Sequence, residues 1–101
     1  MPLDVAIIED HTEYRESISY ILDCTEGFRC AGKYAAVEEA LAKMTEPDVL
    51  LLDIHLPGMS GIQGIERIKA KFPDTRIIIL TVFDDNSNVF EAILAGADGY
   101  I

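Results

Sequence analysis

Three stretches of the chain are almost wholly apolar and rich in branched side chains: Val5-Ala6-Ile7-Ile8, Val49-Leu50-Leu51-Leu52 and Ile77-Ile78-Ile79-Leu80. Runs of this length without polar alternation belong to strands covered by helices on both faces, as in a parallel sheet. Between them the apolar period changes. His11 to Thr25 carries Tyr14, Ile18, Ile21 and Leu22 at i, i+4, i+7 and i+8, which predicts a one-faced helix ended by Gly27. Phe28 to Tyr34 reads as a short second strand. Val37 to Met44 reads as a second helix with Val37, Ala40, Leu41 and Met44 on one side, stopped by Pro47. The turn-forming stretch Leu56-Pro57-Gly58-Met59-Ser60-Gly61 leads into a third helix with Ile62, Ile65, Ile68 and Phe72 at helical spacing, broken by Pro73-Asp74. Asp84 to Ala95 predicts a fourth helix, apolar at Val89, Phe90, Ile93 and Leu94 and capped by Gly96. Gly99-Tyr100-Ile101 looks like the start of a fifth strand.

Strict alternation of strands and helices argues for right-handed crossovers and a doubly wound parallel sheet. The polar residues that break the apolar runs then acquire meaning. Glu9 and Asp10 follow the first run, Asp53 the third strand and Thr81 the fourth. In open α/β sheets the ligand crevice lies outside the carboxyl ends of the strands, near the point where strand order reverses. Three acids and one hydroxyl are therefore expected to converge there.

Composition narrows the classes. At 101 residues the chain is one domain, and 50% hydrophobic content suffices for a core. Eighteen acidic residues against eight basic ones give a net charge of −10, which argues against this chain gripping a phosphate backbone itself. Nucleic-acid contact would fall to another domain. No run approaches the roughly 20 apolar residues of a membrane-spanning helix, and the N-terminus has no signal-like stretch, so a cytoplasmic location without membrane contact is expected. Cys24 and Cys30, without a CxxC motif or a histidine cluster, read as ordinary structural thiols. No internal repeat, low-complexity tract or linker is present.

Crowding Glu9, Asp10 and Asp53 costs electrostatic repulsion that a bound cation removes. Carboxylate oxygens suit a hard ion, and Mg²⁺ in particular is held by one or two carboxylates together with waters and phosphate oxygens. A carboxylate can also act as nucleophile and form an aspartyl phosphate, and Asp53, alone at the end of the central strand, is best placed to do so. Thr81 can donate its hydroxyl to a phosphoryl oxygen. The backbone beyond Asp53 can offer a carbonyl to the metal, so the His55 side chain need not be a ligand. Blander readings exist for each residue singly: Asp10 as a helix N-cap, Thr81 as a β-branched strand residue, His11 as a helix start, His55 as loop, and Asp84-Asp85 as a cap. Capping alone does not explain the joint arrangement.

In Ile7-Ile8-Glu9-Asp10-His11, in Leu51-Leu52-Asp53-Ile54-His55-Leu56-Pro57-Gly58-Met59-Ser60-Gly61, in Ile79-Leu80-Thr81 and in Ala95-Gly96-Ala97-Asp98-Gly99-Tyr100-Ile101, the chain resembles the receiver domain of a bacterial two-component response regulator over essentially all 101 residues. The last segment most resembles regulators with a C-terminal helix-turn-helix DNA-binding domain, an effector absent from this chain. The resemblance implies a flavodoxin-like doubly wound sheet of strand order 2-1-3-4-5. It implies that Asp53 accepts a phosphoryl group from a phosphohistidine on a sensor histidine kinase, and that Glu9, Asp10, Asp53 and the His55 carbonyl bind Mg²⁺. It implies further that Thr81 and Tyr100 form the switch, the hydroxyl moving toward the phosphoryl group and the ring turning inward, so that an output domain, here one for transcription regulation, is controlled. Such a domain takes part in its own phosphorylation and dephosphorylation without being an enzyme in the ordinary sense.

Two departures from the family qualify this expectation. The chain, read as a receiver domain over residues 1–101, stops within the fifth strand and lacks the fifth helix, which suggests a piece of a longer protein, with uncovered apolar strand surface and self-association or homodimerisation as the expected consequence. The lysine that family members carry three positions after the switch aromatic falls past Ile101, so slow phosphorylation and poor switching are expected. Phe83 and His55, two residues past Thr81 and Asp53, are expected to flank the crevice mouth and hinder the hydrolytic water. Three other functions compete. A metal-dependent phosphatase or phosphomutase would need a second acid where His55 stands. A flavin module would need a neutral, hydroxyl-rich loop where Glu9-Asp10 stands. A receiver-like dimerisation or adaptor module that never takes phosphate is the alternative closest to the receiver reading.

Overall fold

The computed structural model describes residues 2–53, 61–80 and 96–100, the side chains of Ile62 and Tyr100 excepted. In chain order its elements are β1 (Leu3–Ile8), α1 (Thr12–Cys24), β2 (Phe28–Tyr34), α2 (Val37–Lys43), β3 (Val49–Asp53), α3 (Gly61–Lys71), β4 (Arg76–Leu80) and β5 (Gly99–Tyr100). The strands form one parallel sheet ordered β2-β1-β3-β4-β5. This is the doubly wound arrangement expected from the alternation of elements, with the order reversing between β1 and β3. The predicted fourth helix, Asp84 to Ala95, lies outside the described residues. Among the described residues no helix is long and apolar enough to cross a membrane.

The core sits mainly on one face of the sheet. Ala6, Ile8, Leu50, Leu52, Ile77 and Ile79 are all buried there against Val37, Ala40 and Met44 of the second-helix segment and Ile65, Ile68 and Phe72 at the third. Each such aliphatic side chain contributes about 1.5–3 kcal/mol when fully withdrawn from water. On the opposite face Val5 and Ile7 are buried, whereas Val49, Leu51, Ile78 and Leu80 are only half-buried.

Helix α1 corrects one expectation. Tyr14, Ile18, Ile21 and Leu22 are not one buried face: Tyr14 is 48% and Ile21 61% exposed, while Ser19 is buried. The helix is rotated so that Arg15, Ile18, Ser19 and Leu22 are its less exposed positions, again at i, i+3, i+4 and i+7. Ser19, small enough for close approach, is the buried residue of α1, while the bulkier Tyr14 and Ile21 stay exposed.

Two backbone features shape the two ends of the β1–β2 pair, Gly27 at the start of the strands and a bulge toward the site edge. Gly27, with φ of 92°, sits in a turn closed by the Phe28 N–H donating to the Thr25 carbonyl, a left-handed conformation that favours glycine. Between β1 and β2 the register shifts, Val5 facing Cys30 but Ala6 facing Gly32, so that Ala31 is the extra residue of a bulge. Past this bulge Tyr34 faces Ile8, and its carbonyl accepts the Glu9 N–H at 2.9 Å.

Candidate metal and phosphoacceptor site

Each acid of the site is delivered by a strand end. β1 terminates at Ile8, and Glu9 follows with its N–H anchored on Tyr34, so its side chain is carried to the carboxyl edge while remaining only 4% exposed. Asp53 is the last residue of β3, 6% exposed and in register with Leu80, the last residue of β4. Asp10 is exposed and lies in the turn before α1. It does not cap that helix: the N-cap is His11, whose side chain makes no capping hydrogen bond, so the capping reading of Asp10 is not realised and the His11 reading is.

The structure brings Glu9, Asp10 and Asp53 together. Each offers a carboxylate oxygen, and these oxygens all lie within 4.8 Å of one another. The electrostatic consequence appears at Glu9, whose pKa is pushed up to about 8 by burial first, and then by its contact with Asp53 and the negative charges of Asp53 and Asp10. One of its oxygens, Oε2, is buried with no hydrogen-bond partner among the described residues.

That orphaned oxygen is the test of whether the residues fit a cation. A buried carboxylate oxygen without a donor carries an unmet desolvation cost, which either a proton or a positive ion removes. The donor set is all oxygen and all carboxylate, matching the hard ions Mg²⁺ and Ca²⁺ and poorly suiting the thiolate- and imidazole-preferring metals. The residues present therefore fit a hard divalent cation.

Four further sequence-derived site residues stand differently. His55, Thr81 and Phe83 lie outside the described residues, and Tyr100 is placed by its backbone alone, in β5 opposite Ile79.

Sequence reasoning passed over two contributors. Arg15, in α1, donates from Nη1 to the Glu9 carbonyl at 2.8 Å. The only hint in the chain is a single basic residue one turn into the helix that follows an acidic turn. Asp98 serves the fold: its carboxylate accepts the Ile77 N–H at 2.8 Å and the Lys69 ammonium at 2.9 Å, fixing the approach to β5.

Comparison with known proteins agrees with this geometry. Residues 5–101 match the response regulator receiver domain. The chain is 39% identical over 99 residues to the uncharacterized transcriptional regulatory protein YxjL of Bacillus subtilis, covering 96% of this chain and 45% of that one. It is 40% identical over 102 residues to the oxygen regulatory protein NreC of Staphylococcus epidermidis, covering 98% and 47%. The chain thus spans about half the length of these curated relatives. Among solved structures, a two-component response regulator of the LuxR family from Aurantimonas sp. SI85-9A1 superposes with a TM-score of 0.89 at 28% identity, over 99% of this chain and 73% of that one. With its sheet order, its acidic strand ends and a match along nearly its whole length, the chain belongs to the response regulator receiver domain family.

Proposed function

We propose that this chain is a phosphoacceptor in a two-component phosphorelay, with Asp53 as the residue that takes the phosphoryl group. The observation that carries the reading is the grouping of the Glu9, Asp10 and Asp53 oxygens within 4.8 Å at the carboxyl edge of the sheet. The phosphodonor is a phosphohistidine on a sensor histidine kinase. A carboxylate oxygen of Asp53 attacks the phosphorus, an O–P bond forms, the N–P bond of the donor breaks, and the departing imidazole takes up a proton. The product is an acyl phosphate, which water later hydrolyses back to the free acid and phosphate.

Glu9 and Asp10, with Asp53 and the backbone carbonyl of His55, hold the cation in this reading. Mg²⁺, when bound, supplies the positive charge that offsets the carboxylates and the phosphoryl oxygens. The remaining work is positioning. Asp53 is kept at the end of a rigid central strand, and its burial excludes competing water. Thr81 donates its hydroxyl to a phosphoryl oxygen and, with Tyr100, passes the change on as a shift between two packings. Phe83 and the His55 ring flank the crevice and slow hydrolysis.

The wider protein is read in the same way. YxjL is named a transcriptional regulatory protein, and this chain covers less than half of it, so transcription regulation through a separate DNA-binding output domain is the proposed role of the whole. A chain of net charge −10 leaves DNA contact to that domain. A cytoplasmic location, facing the kinase's catalytic part, goes with this reading.

The test is incubation with radiolabelled acetyl phosphate, with Mg²⁺ or with EDTA. Label is expected in the wild type with Mg²⁺ and not in Asp53→Asn or with EDTA; Thr81→Ala is expected to take label but to change shape less. An unlabelled wild type would favour a phosphate-independent adaptor or dimerisation role.

A further inference from the structure

Asp10 lies between two carbonyl groups that bond to the same residue. The Glu9 carbonyl, which belongs to the peptide entering Asp10, accepts a hydrogen bond from Arg15 Nη1 at 2.8 Å. The His11 carbonyl, one residue after Asp10, accepts the Arg15 backbone N–H at 3.0 Å. On the far side the Glu9 N–H is tied to Tyr34 at 2.9 Å. The turn that presents Glu9 and Asp10 is therefore fixed at its entry by β2 and at its exit by a single arginine of α1.

The usual bracing of such a turn is missing. A helix start is ordinarily held by a side-chain oxygen on its N-cap, and His11 provides none. Arg15 braces the turn in a different way, donating from inside the helix to the carbonyl of the residue that enters it. Its side chain is half-buried, and its bond to a backbone oxygen costs nothing in carboxylate availability: it leaves the Glu9 and Asp10 oxygens free to face Asp53.

We propose that Arg15 is a positioning residue for the cation site, holding the Glu9–Asp10 turn in the geometry that binds Mg²⁺. This rests on the reading of Glu9, Asp10 and Asp53 as that site. The alternative role for a cation beside an acidic cluster is electrostatic, and the two differ in sign. A like charge near the site weakens metal binding, so removing it tightens binding. Removing a brace loosens binding, as loss of outer-shell partners does elsewhere by on the order of 10–100-fold.

Titration calorimetry with Mg²⁺ alone, at a temperature where circular dichroism shows every variant folded, separates them. Arg15→Met keeps the apolar stem and removes the donors; Mg²⁺ affinity on the order of 10-fold weaker is expected, with partial recovery in Arg15→Lys. Arg15→Gln replaces Arg15→Met should the latter not fold. Arg29→Met, which breaks a surface pair with Asp4 at the other end of β1, is expected to leave Mg²⁺ affinity unchanged. Affinity unchanged or tightened in Arg15→Met, or equal losses in Arg15→Lys and Arg15→Met, would overturn the proposal. A wild type that binds no Mg²⁺ at millimolar concentration would instead overturn the reading of the site on which it rests.

Discussion

Lys69 and Asp98 form an ion pair at 2.9 Å whose acceptor, Asp98 Oδ2, also takes the Ile77 N–H at 2.8 Å. One carboxylate oxygen thus joins α3, the start of β4 and the approach to β5, which pairs with β4 through Gly99 and Tyr100. Burial by itself would raise the Asp98 pKa, but the Ile77 N–H and the Lys69 ammonium outweigh it and hold the carboxyl below the usual aspartate value. A depressed pKa contributes stability that is present above the unfolded value and is lost as pH falls through the folded one. The thermal midpoint of the wild type is therefore expected to drop on acidification below about pH 4 more steeply than that of Asp98→Asn. At neutral pH Asp98→Ala should cost about 1 kcal/mol, below the usual range for charge-assisted bonds because the pair is partly solvated. Thermal melts at several pH values measure the first, and urea denaturation at neutral pH the second.

Glu9 gives the opposite sign. Its ordinary value is 4.5 and in the fold it is pushed up to about 8. Between those values the folded protein holds a proton that the unfolded chain has released. The associated stability is fully present below about pH 4.5 and is lost as pH rises to about 8. In EDTA the urea midpoint of the wild type should fall across this window, and Glu9→Gln should flatten the profile. Added Mg²⁺ should restore the wild-type midpoint most at the alkaline end, by mass action on the folded state.

Helix α3 crosses α2 at a point where a side chain is excluded. A Cβ on Gly64 would stand 2.7 Å from Val37 Cγ2 and 3.0 Å from Cγ1. In a helix interior Gly→Ala ordinarily stabilises by about 1 kcal/mol. Here Gly64→Ala is expected to destabilise by about 1–3 kcal/mol, the range for overpacking a core. Val37→Ala should relieve most of that clash, so a double-mutant cycle should show a favourable coupling between the two substitutions.

Apolar character alone does not forecast cost. Ile65 is fully buried and Ile21 is 61% exposed. Ile65→Ala is expected to lose about 2–5 kcal/mol, and Ile21→Ala to stay within about 0.5 kcal/mol, by chemical denaturation.

The same pair shows what the chain makes legible. The sheet follows from runs such as Ile77-Ile78-Ile79-Leu80, because a strand buried on both faces leaves no room for polar alternation, and β2 runs over Phe28–Tyr34 as its pattern predicts. The acids Glu9 and Asp53 were recognisable as polar residues directly ending apolar strands. The buried face of α1 was not legible: Tyr14 and Ile21 are apolar at helical spacing, but the small Ser19 is the buried residue, and volume leaves no mark in a polarity pattern. Arg15 was hidden for a related reason. It acts on a backbone carbonyl, which every residue possesses, so no motif announces it. The bulge at Ala31, which brings the Tyr34 carbonyl to Glu9, is likewise a matter of register between strands distant in sequence.

The central claim is that Asp53 is the phosphoacceptor and that its chemistry needs a divalent cation. The most direct measurement is reduction of the acetyl phosphate-treated protein with borohydride, which converts an aspartyl phosphate to homoserine, followed by peptide mapping by mass spectrometry. Homoserine at position 53 in Mg²⁺, and nowhere in EDTA, is the predicted result. Homoserine at another aspartate, or at position 53 irrespective of Mg²⁺, would contradict the account.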